Sequence, residues 1–213
     1  MLGQVDGSQT SAADGPLYMK IFGDHRSGNC DKVRFTVGYL QLTHEWIEID
    51  SVKGGTRTPE FLAMNPQGQV PVALFPDGRA LAQSNAIVRY LSDGSPLLPA
   101  DRWKRAKIDE WMFWEANNHE IFVAGCISHM TYMAKSKETR DPMRVQRGDR
   151  ALDVMENHLQ VTNWMVADEL TAADIALVAY TRQAHLGGFD MSARPRLRGW
   201  IARCEAALCL QRL

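Results

Sequence analysis

Cysteine is scarce and scattered in this 213-residue chain: Cys30, Cys126, Cys204 and Cys209, with no Cys-x-x-Cys pair among them. Dithiol exchange of the thioredoxin kind and knuckle-type metal sites are therefore not indicated, and a reducing, cytoplasmic setting is the simple expectation. Charge of one sign is also lacking. Lys and Arg number 24 against 25 Asp and Glu, for a formal net charge of −1. That leaves no electrostatic case for nucleic acid or an anionic membrane as partner. No uninterrupted apolar run reaches the roughly 18 residues of a membrane-spanning helix. Internal repeats are missing too. The stretch from Met1 to Pro16 has neither the basic start nor the apolar segment of a secretory signal, and it reads as a disordered tail.

What remains is an ordinary globular composition, 45% hydrophobic and 23% charged, enough to bury a real core. The length suits one or two domains of roughly 100–200 residues each. Leu17 to Phe22 alternates as a buried strand, and Val33, Val37 and Leu40 recur at helical spacing from about Cys30. Glu45 to Asp50 reads as a second strand. Thr58-Pro59-Glu60 opens a short helix that ends by Asn65: a capping hydroxyl, proline in the first turn, then an acid. Two short strands flank the Pro76-Asp77-Gly78-Arg79 turn, and a helix follows from Ser84 to about Ser92. This order predicts a thioredoxin-like α/β domain over residues 17–92.

Residues 93–100, with two prolines and a glycine, read as a linker. Residues 101–213 read as an all-helical domain. A long helix is expected from Trp103 toward Tyr132 with a kink at Gly125, then others over Asp141–Leu159, Ile175–His185 and Pro195–Leu208. Thr171-Ala172-Ala173-Asp174 is a capping-box variant, and Gly187-Gly188 is expected to end the helix it opens.

The most telling stretch is Asn65-Pro66-Gln67-Gly68-Gln69-Val70-Pro71, followed by Gln83-Ser84-Asn85-Ala86-Ile87. A cis Val70-Pro71 bond would free the Val70 backbone to pair with a peptide-like ligand. A serine at a helix N-terminus suits a carboxylate. These motifs, together with the Trp164 to Ala176 segment, resemble the soluble glutathione transferases, bacterial ones included. The resemblance covers about Leu17 to Leu208. It departs from the family where Gln83 stands for a more frequent Glu and where Ala167 replaces a glycine.

The resemblance implies glutathione as co-substrate, held by Gln69, Val70, Pro71, Gln83 and Ser84, with Lys53 or Arg57 meeting its glycyl carboxylate. No metal is implied. The activating group is expected in Arg26-Ser27-Gly28-Asn29-Cys30. Ser27 is the first candidate to donate to the thiolate, and Cys30 and Asn29 are the rivals. Ser27 as a plain cap, and Cys30 as a small buried side chain, are the structural alternatives. The resemblance further implies a detoxifying homodimer that conjugates glutathione to a small apolar electrophile, with residues near Trp111 and Tyr132 facing that second substrate. The alternatives are a glutathione-dependent disulfide or peroxide reductase using Cys30, and a non-catalytic glutathione-binding module. Glu110, Glu115 and Glu120 read as solvated helix faces, and His119, His129 and His185 as structural.

Overall fold

A computed structural model describes residues 18–211. The expected tail from Met1 to Pro16 lies outside the described residues. The N-terminal half runs β1 (Met19–Gly23), α1 (Gly28–Tyr39), β2 (His44–Glu48), α2 (Pro59–Met64), β3 (Val72–Leu74), β4 (Ala80–Ala82) and α3 (Ser84–Leu91). The strands form one sheet in the order β2-β1-β3-β4. β1 pairs in parallel with β2, placing Ile21 opposite Trp46, and antiparallel with β3, placing Ile21 opposite Ala73. β1 lies in the interior of the sheet, and Met19 and Ile21 are buried in the core. The central strand thus carries the apolar face that α1 and α3 cover.

Local chemistry sets most element ends. The Ser27 side chain accepts the Cys30 N–H to start α1, and Thr58 accepts the Phe61 N–H to start α2 with Pro59 in its first turn. The helical half contains α4 (Arg102–Trp114), α5 (Glu120–Thr131), α6 (Pro142–His158), α7 (Ala172–Thr181) and α8 (Pro195–Ala207). Asp101 caps α4 and Asp141 caps α6. The Thr171–Asp174 capping box opens α7. Asp174 is fully buried. It accepts from the Met165 N–H, from the Thr171 N–H and hydroxyl, and from Trp200 Nε1. One carboxylate therefore ties the preceding loop, its own helix and α8 together. Burial pushes its carboxyl above the usual range, and the hydrogen bonds oppose that shift.

Two expectations need correction. The long helix breaks at a π-helical turn, Glu115–His119, and not at Gly125. The wider turn holds Glu115 and His119, both wholly buried polar side chains, toward inward partners. Gly125 serves a different purpose: a Cβ there would press against the Arg144 side chain, so glycine permits the close approach of α6. The helix after the capping box stops at Thr181, not His185. A 3₁₀ turn, Ala184–Gly187, follows, closed by Gly188 at φ +76°. The Thr181 hydroxyl bonds back to Leu177 O at 2.7 Å and also meets His119 Nε2 at 3.0 Å.

Ala167 sits at φ +63°, the left-handed region that favours glycine. The resemblance expects glycine at this position, and the backbone shows why.

Candidate functional site

A cleft of ≈ 510 Å³ opens where the loops of the α/β half meet the N-termini of α1 and α3. Its wall is largely backbone-built. The buried Asn65 donates from Nδ2 to Gln69 O at 2.8 Å and accepts the Gln67 N–H at 3.2 Å. Gly68 adopts φ +61°, and any side chain there would collide with the Arg57 guanidinium lying across the loop. The Val70-Pro71 peptide is cis. Gln69, Val70 and Pro71 line the cleft, with Gln83 and Ser84 beside them.

Gln83 is held at φ +72°, a strained conformation for a residue with a side chain, and its Nε2 donates to Gln67 Oε1 at 3.0 Å. This bend delivers Ser84 to the start of α3. The Ser84 hydroxyl donates to Asn29 Oδ1 at 2.8 Å. Asn29 in turn donates from Nδ2 to Glu120 Oε1 at 2.6 Å. A continuous chain of side chains thus runs from α3, across the start of α1, to α5 of the helical half.

The helical half also fixes the α1 N-terminus directly. The Asn29 N–H donates to the Tyr180 hydroxyl at 3.2 Å. Gly28 has no room for a side chain, because a Cβ would overlap the Tyr180 ring. One turn further, Lys32 is completely buried, an unusual place for an ammonium group. It donates to Glu115 Oε2 at 2.8 Å and to Glu120 Oε2 at 3.1 Å. Asn85 adds a second donor to Glu115 Oε2 at 3.0 Å. Burial raises the Glu115 carboxyl above its usual range, and the neighbouring Glu120 pushes the same way while Lys32 opposes. His119 faces Glu115 across 4.0 Å, and burial holds its imidazole neutral, down to about 3. Glu115 and Glu120 are therefore inward-facing partners of Lys32, not solvated surface. Only Glu110, paired with Lys107 at 2.6 Å, matches that expectation.

The structure separates the remaining candidates. Asn29 lines the cleft, whereas Ser27 and Cys30 do not. Cys30 is buried under the α1 N-terminus, where its Sγ accepts the Asp24 N–H at 3.3 Å. Burial pushes its thiol up to about 11, opposite to what a reactive thiolate needs. Ser27 is the α1 cap. Its oxygen receives the Cys30 N–H at 3.4 Å through a lone pair, which leaves the hydroxyl hydrogen to donate elsewhere. Lys53 points away, 85% exposed and 3.4 Å from Asp50. Arg57 lines the cleft instead.

A second cavity, ≈ 320 Å³, lies next to the first and shares Glu120 with it. Arg26, Ile121, Ser128, Tyr132 and Tyr180 contribute to its lining. The Tyr132 hydroxyl donates to Arg26 O. Trp111 is not there. It packs edge-on against Trp114 and His158 inside the helical half. Ser27 falls in sequence between Arg26 of the second cavity and Asn29 of the first. Sequence reasoning missed Ser51, Thr56 and Glu120 as lining residues. A polar side chain in a loop or on a helix carries no signal of which way it faces.

Residues 26–93 match the model of the glutathione S-transferase N-terminal domain, and residues 133–203 match that of the C-terminal domain. The chain belongs to the glutathione S-transferase family. A solved glutathione S-transferase from Pseudomonas fluorescens Pf-5 is 40% identical, with a TM-score of 0.85, over 88% of this chain and 94% of that one. Glutathione S-transferase 3 of Zea mays is 29% identical over 206 residues, 91% of this chain and 92% of that protein. A maleylacetoacetate isomerase of Rhizobium meliloti (strain 1021) is 31% identical over 195 residues, 88% of this chain and 91% of that protein. The thioredoxin-like half and the helical half are thus those of this family. No helix among the described residues of this glutathione S-transferase family member is long and apolar enough to cross a membrane.

Proposed function

We propose that this protein conjugates the thiolate of glutathione to a small electrophile. The observation that carries the reading is the pair of cavities that share Glu120, the first lined also by Asn29 of α1 and the second by Arg26 just before that helix. One has the Val70 backbone, the α3 N-terminus with Ser84, and Arg57; the other is lined in part by the apolar Ile121 and the ring of Tyr132. The tripeptide lies in the first, its own backbone against Val70 and one carboxylate at Ser84. Its glycyl carboxylate meets Arg57 rather than Lys53. Gln69 and Pro71 complete the wall.

A free thiol has a pKa of about 8.5, so most of it is protonated at neutral pH. Lowering it by two units requires about 2.7 kcal/mol of preference for the anion. One hydroxyl donor and a helix N-terminus are together adequate. Ser27 supplies the hydroxyl, and α1 supplies the dipole. Asn29 is less available, since its Nδ2 hydrogen already goes to Glu120. The sulfur then forms its bond to the electrophilic carbon as the leaving group departs with its bonding pair. The electrophile waits near Tyr132. Two copies of the chain working as a homodimer in the cytoplasm complete the reading.

A second reading, isomerase activity at the same cleft, is favoured by the Rhizobium relative. A thiolate that adds reversibly to a conjugated double bond frees that bond to rotate. A Cys30-based reductase has little support, given the buried and raised thiol.

The test is an absorbance titration of the thiolate of bound glutathione, in wild type, Ser27→Ala, Asn29→Ala and Cys30→Ser. The bound thiol is expected to titrate well below free glutathione, with Ser27→Ala alone returning it toward the free value. An unperturbed thiol in wild type would rule out the transferase reading. A return caused by Asn29→Ala or Cys30→Ser would transfer the role to that residue.

A further inference from the structure

The cleft is unevenly charged, and the unevenness has a direction. Among its lining residues Arg57 is the single cation and Glu120 the single carboxylate. Gln83, the position next to Ser84, is uncharged and turns its amide to Gln67. Glu120 comes from the other half of the molecule, yet it stands one carboxamide away from Ser84, through Asn29. An α-amino-acid head has the matching shape: a carboxylate and an ammonium on one carbon.

Glu120 is also held in place at the cleft by two donors. Its Oε2 receives the buried Lys32 ammonium at 3.1 Å, and its side chain keeps 26% exposure. Each oxygen has one partner among the described residues and retains lone-pair capacity. Lys32 is not its partner alone, because Glu115 holds the same ammonium at 2.8 Å with no exposure at all. Two acidic side chains thus share one lysine, and Glu120 is the member of the cluster that lines the cleft. His119, the remaining titratable neighbour of Glu115, is held neutral by burial and adds no positive charge.

We propose that Glu120 is the ammonium acceptor of the cleft, a specificity residue that pairs with Ser84 to read the free α-amino-acid end of the peptide. The inference rests on the glutathione reading above. It assigns to a helical-domain side chain the charge that Gln83 lacks. Lys32 and Glu115 act through Glu120, as positioning residues.

The experiment measures dissociation constants by calorimetry for two peptides: glutathione, and glutaryl-cysteinylglycine, which lacks only the α-amino group. Wild type is expected to prefer glutathione at least tenfold. Glu120→Gln is expected to bring that preference close to one, while Gln83→Ala retains most of it. Equal affinity of wild type for the two peptides would overturn the proposal and leave the glutathione reading standing. So would a preference that survives Glu120→Gln, or one that collapses in Gln83→Ala instead. Wild type that binds neither peptide would overturn both readings. Should Glu120→Gln fail to fold, the wild-type ratio and the Gln83→Ala ratio still decide, and Glu120→Asp, with a shortened reach, is expected to lower the preference without abolishing it.

Discussion

The two walls of the cleft are made in opposite ways. On the α/β side the wall is largely backbone: the Asn65–Pro71 loop, the bend at Gln83 and the start of α3. On the helical side it is side chain: Glu120 in the cleft itself, with Tyr132 and Tyr180 in the adjoining cavity that shares it, presented by two helices. A backbone wall must be written in residues with special conformations, such as glycine, proline and a strained glutamine. A side-chain wall is written in ordinary helix-forming residues whose spacing resembles any other helix face. The difference teaches where binding geometry is conserved by conformation and where it is open to substitution.

The same contrast extends to the forces that hold each wall. The helical wall hangs on the buried Lys32 pair. Removing one partner of such a pair strands the other charge. Lys32→Met is therefore expected to lose about 3–5 kcal/mol of unfolding free energy. Lys32→Met combined with Glu115→Leu is expected to regain a large part of it. Urea unfolding of the single and double variants measures both, and additive losses would show that the two residues are not energetically a pair.

The α/β wall leans instead on Asp24, which is 1% exposed and anchors the loop before α1 to the loop after β2. The Arg26 guanidinium donates to it twice, at 2.9 and 2.7 Å, the Arg26 backbone N–H once, at 3.0 Å, and the Ser51 hydroxyl donates at 2.6 Å. The Arg26 guanidinium beside it holds its carboxyl well below the usual carboxylate range, with Ser51 assisting and burial opposing. A depressed carboxyl stabilises the fold above its unfolded value, near 4, and that contribution disappears as pH falls toward the folded value. Asp24→Asn is expected to cost about 2 kcal/mol at neutral pH. The gap from wild type should narrow steadily below about pH 4. Asp174 of the helical half has the opposite sign, since its raised carboxyl favours the fold as the medium becomes more acidic. Unfolding curves at several pH values would blur the comparison if the Asp24→Asn gap stayed constant.

The smallest expected effect sharpens the conformational side. Ala167 occupies a left-handed backbone position outside the cleft. Ala167→Gly is expected to gain about 0.5–1 kcal/mol, the relief of strain exceeding the added chain entropy. A shift in thermal midpoint of a few degrees upward is the readout, with glutathione binding unaltered.

Much of the fold was legible because its punctuation is chemical. Ser27, Thr58-Pro59, Asp141 and the Thr171–Asp174 box open helices where their side chains meet free N–H groups. The cleft was legible on its backbone wall for the same reason, which is how Gln69, Val70, Pro71, Gln83 and Ser84 come together. Direction was not legible. A cysteine near a helix start can face solvent and ionise, or face the sheet and not; Cys30 does the second. Lys53 and Arg57 were indistinguishable as loop cations until the close pass of Gly68 placed Arg57 over the cleft. Glu115 and Glu120 looked like surface charge because nothing local reveals the buried lysine, more than eighty residues earlier, that they surround.

The π-helical turn at Glu115–His119 gives α4 and α5 different phases. Each residue of an α-helix advances the side-chain direction by about 100°. A single extra residue absorbed in that turn therefore rotates everything after it by about the same angle relative to everything before. Winding the same five residues as ordinary α-helix would swing Glu120 and Tyr132 away from α1 together, whereas deleting one of the five would let an unbroken helix present both at the angle they have now. The turn works as a keyway: it sets the angle at which the whole second wall is presented, independently of which side chains that wall carries.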